Sequence, residues 1–327
     1  MVLFSIHSDR LTFSSFVWQK NLKNIFYISV KVENSILKVL AYFDVFDYPI
    51  TAKEIRAFLE QPISENDLDS SLNQLLLTGK IFQLDEFYSL QNDPSLIERR
   101  KKGNERAVGL LAKAEKIATL LYKFPYVRAV GVSGSVSKNF ADEQADIDYF
   151  IITKANRLWI ARTLLHLFKK NPFLKRRNEY YCMNYFVDEA DLLIEEKNIY
   201  TATELYTIVP MAGNGSMKRF FEANSWSHNF FPNIRLPFVN DEKKRSSWYK
   251  RFAEFLFNNK LGDWLDNYFF RLTTKRWKKK EDENRLNTKG ERMGLKTGKH
   301  FSKPNPIFFH DWFMAKYEKR LEEIMSK

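Results

Sequence analysis

The chain has 327 residues, a formal net charge of +12, and a composition that is 44% hydrophobic and 16% aromatic. This composition excludes an intrinsically disordered or fibrous protein, and the length is enough for two or three modest domains. No run of residues reaches the roughly 18 consecutive apolar positions that a membrane span needs.

The N-terminal stretch 1–32 does not have the pattern of a signal peptide. Asp9 and Arg10 interrupt its apolar residues, and a small-residue cleavage site is missing. We interpret it as an N-terminal extension. The single cysteine, Cys182, excludes an intrachain disulfide and favours a reducing compartment, so we expect a cytoplasmic protein.

Residues 33–92 predict three helices followed by a hairpin. Apolar residues recur at helical spacing over 35–46, and Thr51 and Glu54 form a capping box for the second helix. A third amphipathic helix runs over 64–79 and precedes two short alternating segments. This order resembles a winged helix-turn-helix domain.

Charge argues against DNA binding by this domain. The third helix, where a recognition helix would lie, carries Glu65, Asp67 and Asp69 and has no Lys or Arg over 64–79. DNA binding draws much of its affinity from neutralised phosphates, which this helix would repel. We therefore favour a structural or protein-contact module over a DNA reader.

The stretch GVSGSVSKNFADEQADIDYFIIT, residues 131–153, contains the main motif. A predicted strand ends at Gly134-Ser135, where glycine permits a tight turn and the Ser135 amide and hydroxyl can bind phosphate oxygens. Alternation along the next predicted strand places Asp146 and Asp148 on one face. Two neighbouring carboxylates in an apolar strand repel each other, which indicates that they share a divalent cation.

Gly-Ser, a gap of ten residues and Asp-x-Asp in an apolar strand resemble the signature of the polymerase β-like nucleotidyltransferase superfamily. The resemblance implies an α+β fold: a small mixed sheet with flanking helices over residues 93–200, which include a lead-in helix. It also implies that a nucleoside monophosphate passes from a nucleoside triphosphate, such as ATP, to a hydroxyl acceptor that the sequence does not identify.

The resemblance also implies roles for individual residues. Ser135 would contact the nucleotide phosphates. Asp146 and Asp148 would be catalytic and would hold Mg²⁺ or Mn²⁺. Independently of the resemblance, Gly134 allows a ligand to approach the main chain, and the position of Ser137 and Lys138 after the turn makes them further candidates for nucleotide binding.

A third carboxylate from a later strand usually completes this site in the superfamily. The next predicted strand, 179–189, has Asn184 at its centre, with Glu179 and Asp188 at its ends. Alternation places Asp188 on the Asn184 side, so Asp188 is one candidate for the third catalytic acid. Alternatively, two acids act with Asn184 as a weak metal ligand. In the third interpretation catalysis is lost, which leaves a nucleotide-binding scaffold with a nucleic-acid-associated or regulatory role.

The remaining part, 201–327, predicts a helical C-terminal region. Its segment 271–303 holds twelve basic and four acidic residues, and we expect a mobile basic loop there. Such a loop either contacts RNA, DNA or acidic lipid, or only increases solubility. The final helix, 311–325, is expected to dock through Trp312, Tyr317 and Leu321.

Overall fold

A computed structural model describes residues 30–170, 182–234, 247–286, 293–306 and 309–326. The expected N-terminal extension therefore lies almost wholly outside the described residues, and so does Glu179. The described chain forms two compact units, one up to Ile97 together with the residues from Lys316, and the other comprising Glu98–Ala315. Each unit contains helices and a sheet, which confirms the α+β class.

The described part of the first unit has three helices, the ends of two others and a small antiparallel sheet. Thr51 and Glu54 form the predicted capping box through two reciprocal hydrogen bonds. The Thr51 amide donates to the Glu54 carboxylate at 2.8 Å, and the Glu54 amide donates to the Thr51 hydroxyl at 3.3 Å. The strands lie in the order β1-β3-β2. The elements are α1 (residues 30–44), β1 (Ile50–Thr51), α2 (Ala52–Phe58), α3 (Glu65–Leu77), β2 (Phe82–Leu84) and β3 (Phe87–Ser89).

The second unit is built on a six-stranded mixed sheet. Its strands are β4 (Val127–Ser133), β5 (Asp148–Thr153), β6 (Cys182–Asp188), β7 (Val209–Ala212), β8 (Met293–Thr297) and β9 (Phe301–Pro306). They lie in the order β7-β4-β5-β6-β9-β8. Only the central pair β5–β6 is parallel, and the other neighbours are antiparallel.

Helices complete the second unit. They are α4 (Ser95–Tyr122), α5 (Gly134–Ser137), α6 (Leu158–Lys169), α7 (Ile199–Thr207), α8 (Asn214–Ala223), α9 (Trp248–Leu256), α10 (Lys260–Asp282) and α11 (Phe309–Met325), with a short 3₁₀ helix at Ser225–Asn229. The residues of α4 up to Ile97 and those of α11 from Lys316 belong to the first unit. Among the described residues, the length and apolar content that a transmembrane helix needs are not found together in any helix.

The central strands have an apolar core on each face. Tyr149 and Ile151 pack in a core with residues of α4 and α6, whereas Phe150 and Ile152 pack in a second core with residues of α7 and α8. This is the period of two expected for a strand that is buried on both sides.

A register shift changes the alternation along β6. Tyr149 pairs with Met183, but Phe150 pairs with Tyr185, so Asn184 is an extra residue in β6. The prediction that Asp188 faces the Asn184 side is therefore wrong, because the bulge reverses the alternation that follows it.

The C-terminal part, residues 201–327, was predicted to be helical, but its described residues also contribute strands to the sheet. Strand β7 pairs with β4, and the β8–β9 hairpin pairs with β6. The prediction of a mobile basic loop over 271–303 is wrong for the described residues. Helix α10 continues to Asp282, and strands β8 and β9 follow it. Residues 287–292 lie outside the described residues. Of the residues predicted to dock the final helix, Tyr317 is buried and Leu321 is half-buried, whereas Trp312 is 47% exposed. Phe313 of α11 is also buried.

Candidate functional site

The turn after β4 requires glycine at position 134. Gly134 has a φ of +73°, and a Cβ added there would collide with the Asp148 carboxylate. Ser133 pairs with Asp148 across the β4–β5 ladder, so the turn and the acid lie at the same end of the sheet. The structure thus brings together the two halves of the predicted motif.

Asp146 and Asp148 converge with Cys182. One ligand atom of each side chain lies within 4.8 Å of the other two, and all three residues are half-buried. Asp148 begins β5 and pairs with Cys182 at the start of β6, while Asp146 precedes the strand by two residues. The parallel pairing of β5 and β6 therefore adds to the acids a thiol that the sequence motif did not indicate.

The electrostatics of this cluster favour a cation. Burial raises the pKa of the Cys182 thiol, and the negative charges of Asp148 and Asp146 raise it further. Both effects favour the neutral thiol form of Cys182 as long as no cation is bound. Two carboxylates held this close repel each other unless a proton or a cation lies between them.

Asn184 lies at the site, as the sequence predicts, but it acts as a hydrogen-bond donor. Its amide nitrogen donates to Oδ1 of Asp148 at 2.7 Å, while the Cys182 thiol donates to its amide oxygen at 3.6 Å. The expected metal ligand thus presents its nitrogen, not its oxygen, to the Asp148 carboxylate.

Two of the predicted phosphate-binding residues are held by the protein itself. The Ser137 hydroxyl donates to the Gly134 carbonyl oxygen at 2.8 Å. Lys138 forms a 2.6 Å ion pair with Glu204 and also donates to the Gly134 carbonyl at 3.2 Å. Ser135 is exposed at the start of α5. Among the predicted turn residues, Ser135 therefore offers the most accessible hydroxyl.

The structure does not bring Asp188 to this cluster. Asp188 pairs with Thr153 at the far end of β5, roughly 16 Å from Asp148 at about 3.3 Å per residue. It is fully buried, and its carboxylate accepts the backbone amides of Asn156 and Ala190 at 2.9 Å each. It also lies 3.0 Å from Nδ1 of His300. These contacts assign Asp188 to the scaffold, so the prediction that it lies beside the paired aspartates is wrong.

A cavity of about 150 Å³ opens beside Asp148. Its apolar wall comes from the second core and includes Phe150, Tyr185 and Phe220. Tyr200 and Glu204 of α7 also line it. The sequence gives no sign of a role for these α7 residues, because their local pattern is that of an ordinary amphipathic helix.

Opposite charges meet at the edge of this cavity. Lys303 lines it, forms a 3.0 Å ion pair with Glu196, and lies 5.5 Å from the ring centroid of Tyr185. Burial opposes ionisation of Glu196, but hydrogen bonds and charge from Lys296 and Lys303 prevail and lower its pKa to about 2. The cavity therefore combines an apolar wall with fixed charges.

No family model, no curated protein and no solved structure matches this chain. The functional assignment therefore rests on the residues and geometry of the site: a glycine turn, an exposed serine, two converging carboxylates and an adjacent cavity.

Proposed function

We propose that this protein is a Mg²⁺-dependent nucleotidyltransferase of the polymerase β-like type. It would transfer a nucleoside monophosphate from a nucleoside triphosphate to a hydroxyl group. One observation carries the proposal: Asp146 and Asp148 converge within 4.8 Å next to the Gly134 turn. A glycine turn that admits phosphate and paired carboxylates that hold a cation are the two parts that this chemistry needs.

The donor set fits a hard divalent cation. Carboxylate oxygens are preferred ligands of Mg²⁺, whereas the sulfur of Cys182 is a soft ligand that suits other metals better. When bound, the ion would neutralise charge on the carboxylates and on the phosphate oxygens. Mn²⁺, which accepts the same oxygen donors, is the expected substitute.

The residues of the chain would divide the remaining work. The Ser135 amide and hydroxyl would bind phosphate oxygens, and the missing side chain at Gly134 would let the Asp148 carboxylate lie against the turn. Lys138 would stabilise the turn through its ion pair with Glu204 and would not bind phosphate. Within the described residues, no third carboxylate joins the cluster, so the acceptor proton would pass to the paired acids or to solvent.

We propose a winged-helix assignment for the first unit. The helix and strand order and the β1-β3-β2 sheet support it. Glu65, Asp67 and Asp69 are exposed on α3, and their charge disfavours a nucleic-acid phosphate backbone. A protein-contact or structural role therefore fits this unit better than DNA binding.

Asn184 supports a second candidate function. Its amide donates to Asp148 at the position where the resemblance predicts a carboxylate. An amide cannot act as a general base. In this alternative the chain binds a nucleoside triphosphate without turnover and acts as a regulatory or nucleic-acid-associated scaffold.

Radiolabelled transfer distinguishes these functions. The full chain is incubated with α-³²P nucleoside triphosphates, Mg²⁺ and a mixture of small-molecule, protein and RNA acceptors. Asp146→Asn/Asp148→Asn should reduce transfer by about 10³-fold, because charge stabilisation at the reacting phosphate is lost. Glu143→Gln, at an exposed acid nearby in the same loop, is the matched control and should retain transfer.

The outcomes separate clearly. Transfer that survives the double substitution would eliminate the proposed mechanism. Calorimetric binding of Mg²⁺–ATP with no transfer to any acceptor, in the unmodified protein, would favour the scaffold. Absence of both binding and transfer would reject both candidates.

A further inference from the structure

Helices α9 and α10 carry an unusual number of exposed apolar side chains. On α9, Trp248, Phe252 and Phe255 lie at helical spacings of four and three residues, and Trp248 and Phe255 are 78% and 80% exposed. On α10, Leu261 and Trp264 follow the same rule and are 53% and 60% exposed. These residues form apolar helix faces directed away from the core.

The apolar face of α10 continues into a basic face. Leu261, Trp264 and Tyr268 are followed on the same side of the helix, at spacings of three and four residues, by Arg271 and Lys275. Over 271–280 the helix carries only basic charged residues, and all of them are exposed. These are Arg271, Lys275, Arg276, Lys278, Lys279 and Lys280.

The opposite faces of both helices are firmly anchored. The buried Lys250 amine of α9 donates to the backbone carbonyls of Tyr122 and Val127 at 2.7 and 2.6 Å. On α10, the buried Asp266 carboxylate accepts the Ile160 amide at 2.9 Å, and Trp277 is buried. The exposed faces therefore belong to well-packed helices.

The exposed apolar area is large for a monomer surface. Eight side chains of the two helices are each more than 40% exposed: Trp248, Tyr249, Phe252, Phe255, Leu256, Leu261, Trp264 and Tyr268. At about 150–250 Å² per aromatic side chain, they leave on the order of 1,000 Å² uncovered. The largest contiguous apolar patch on a typical monomer is roughly 300–600 Å² and is often functional, so the two faces together expose more apolar area than one such patch.

We propose that α9 and the exposed stripe of α10 dock on an anionic lipid bilayer surface. The term aromatic–basic surface denotes these eight apolar residues together with the six basic residues of 271–280. Tryptophan, phenylalanine and leucine side chains insert at the headgroup boundary, and clusters of four to eight Lys or Arg on an amphipathic helix attract anionic headgroups. On α10, Arg271 and Lys275 continue the side of the helix that carries Leu261, Trp264 and Tyr268. This proposal is independent of the nucleotide site.

Lipid fits this surface better than a nucleic acid does. The rings of Trp264 and Tyr268 stack on each other, with centroids 5.7 Å apart and an interplanar angle of 15°. Each therefore already covers a ring face that a base would need for stacking. Leu256 and Leu261 offer aliphatic surface, which matches acyl chains and does not stack on bases.

Vesicle co-sedimentation of the full chain tests the proposal. Vesicles of phosphatidylcholine with about 30 mol% phosphatidylserine are compared with vesicles of phosphatidylcholine alone. We expect partition onto the anionic vesicles to be at least ~10-fold stronger and to weaken at about 0.5 M salt. Quenching of tryptophan fluorescence by brominated lipid should accompany binding, because Trp248 and Trp264 would enter the headgroup boundary.

Two variants divide the apolar and the basic contributions. Phe255→Ser/Trp264→Ser and Lys275→Glu/Lys278→Glu should each reduce partition by at least ~10-fold. Leu77→Ser/Leu167→Ser removes comparably exposed apolar side chains, and should leave partition unchanged. Lys53→Glu/Lys116→Glu matches the basic variant at exposed positions of other helices and should lower partition less than twofold.

Three results would overturn the proposal. The first is partition that is equal on neutral and anionic vesicles, or equal in both surface variants and their controls. The second is binding to single-stranded RNA, but not to vesicles, that depends on the aromatic–basic surface. The third is a dimer in sedimentation equilibrium that is lost in Phe255→Ser/Trp264→Ser, again without vesicle binding.

Discussion

The side-chain amide of Asn184 donates a 2.7 Å hydrogen bond to Oδ1 of Asp148. This bond explains how two neighbouring carboxylates are tolerated before any cation binds, because it places a neutral donor against one of them. It also means that the position where the resemblance predicts a third acid stabilises the charge of Asp148 by hydrogen bonding. The first prediction follows from this contact.

Asn184→Asp should make the protein more dependent on Mg²⁺. The substitution removes the donor and adds a third negative charge, so we expect the free energy of unfolding to fall by about 1–3 kcal/mol without metal. Added Mg²⁺ should restore more stability than in the unmodified protein, because a third carboxylate strengthens binding of the folded state. Thermal melts with EDTA and with Mg²⁺ measure both effects. Asn184→Ala is the control. The prediction would be contradicted if Mg²⁺ stabilised Asn184→Asp no more than it stabilises Asn184→Ala.

Gly134→Ala should disrupt the site. The residue has a φ of +73°, and the added methyl group would meet the Asp148 carboxylate, so backbone strain and displacement of the acid act together. We expect Mn²⁺ affinity, measured by electron paramagnetic resonance, to fall at least ~10-fold. Gly109→Ala is the matched control, since a Cβ there meets nothing within 4 Å in a helix that favours alanine. Unchanged Mn²⁺ affinity in Gly134→Ala would show that the turn does not position Asp148.

Asp188→Asn should lower stability and leave metal binding intact. The buried carboxylate accepts two backbone amides and contacts His300, so losing its charge should cost about 2–4 kcal/mol. Urea denaturation measures that loss, while Mn²⁺ titration of the folded variant should match the unmodified protein. A variant with normal stability and no Mn²⁺ binding would instead restore Asp188 to the functional site.

The buried Asp266 side chain should make the protein less stable as the pH rises. Burial raises its pKa to about 6 from a usual 3.8, although the backbone amides of Ile160 and Trp159 oppose the shift. Because the folded state holds this proton more tightly than the unfolded state, the contribution of Asp266 is fully present below pH ~4 and is lost as the pH rises through ~6. The loss is on the order of 2–3 kcal/mol.

Asp266→Asn isolates this titration, because the amide keeps an oxygen for the backbone donors and does not ionise. The difference in unfolding free energy between the unmodified protein and the variant should shift by about 2–3 kcal/mol between pH 4 and pH 7.5 in favour of the variant. Urea denaturation at several pH values gives this difference. A constant difference across the range would show that folding does not raise the pKa of Asp266.

Local signals in the sequence predicted several elements correctly. The capping box of Thr51 and Glu54 forms as expected, because both partners lie within one helical turn. Asp146 and Asp148 converge, as predicted from their spacing of two residues, although only Asp148 lies within β5 and Asp146 precedes the strand. The glycine requirement at Gly134 was also predicted, since a tight turn must follow the strand.

Contacts between distant segments could not be predicted in the same way. The bulge at Asn184 depends on the register between β5 and β6, and it decides that Asp188 faces away from the paired acids. The basic segment was expected to be a loop because its composition is polar, but a pairing partner on β6 makes part of it a strand. Polar composition does not show whether a sheet edge is available for pairing.

The sequence by itself determined the acidic pair, the glycine turn and the cap of the second helix, because each depends on residues close together in the chain. Tertiary structure alone decided which strand lies next to the acids. The pairing of β5 with β6 places Cys182 and Asn184 beside Asp148, and it places Asp188 at the other end of the sheet. Strand register and sheet order are set by packing between segments far apart in sequence, and short-range spacing carries no information about them.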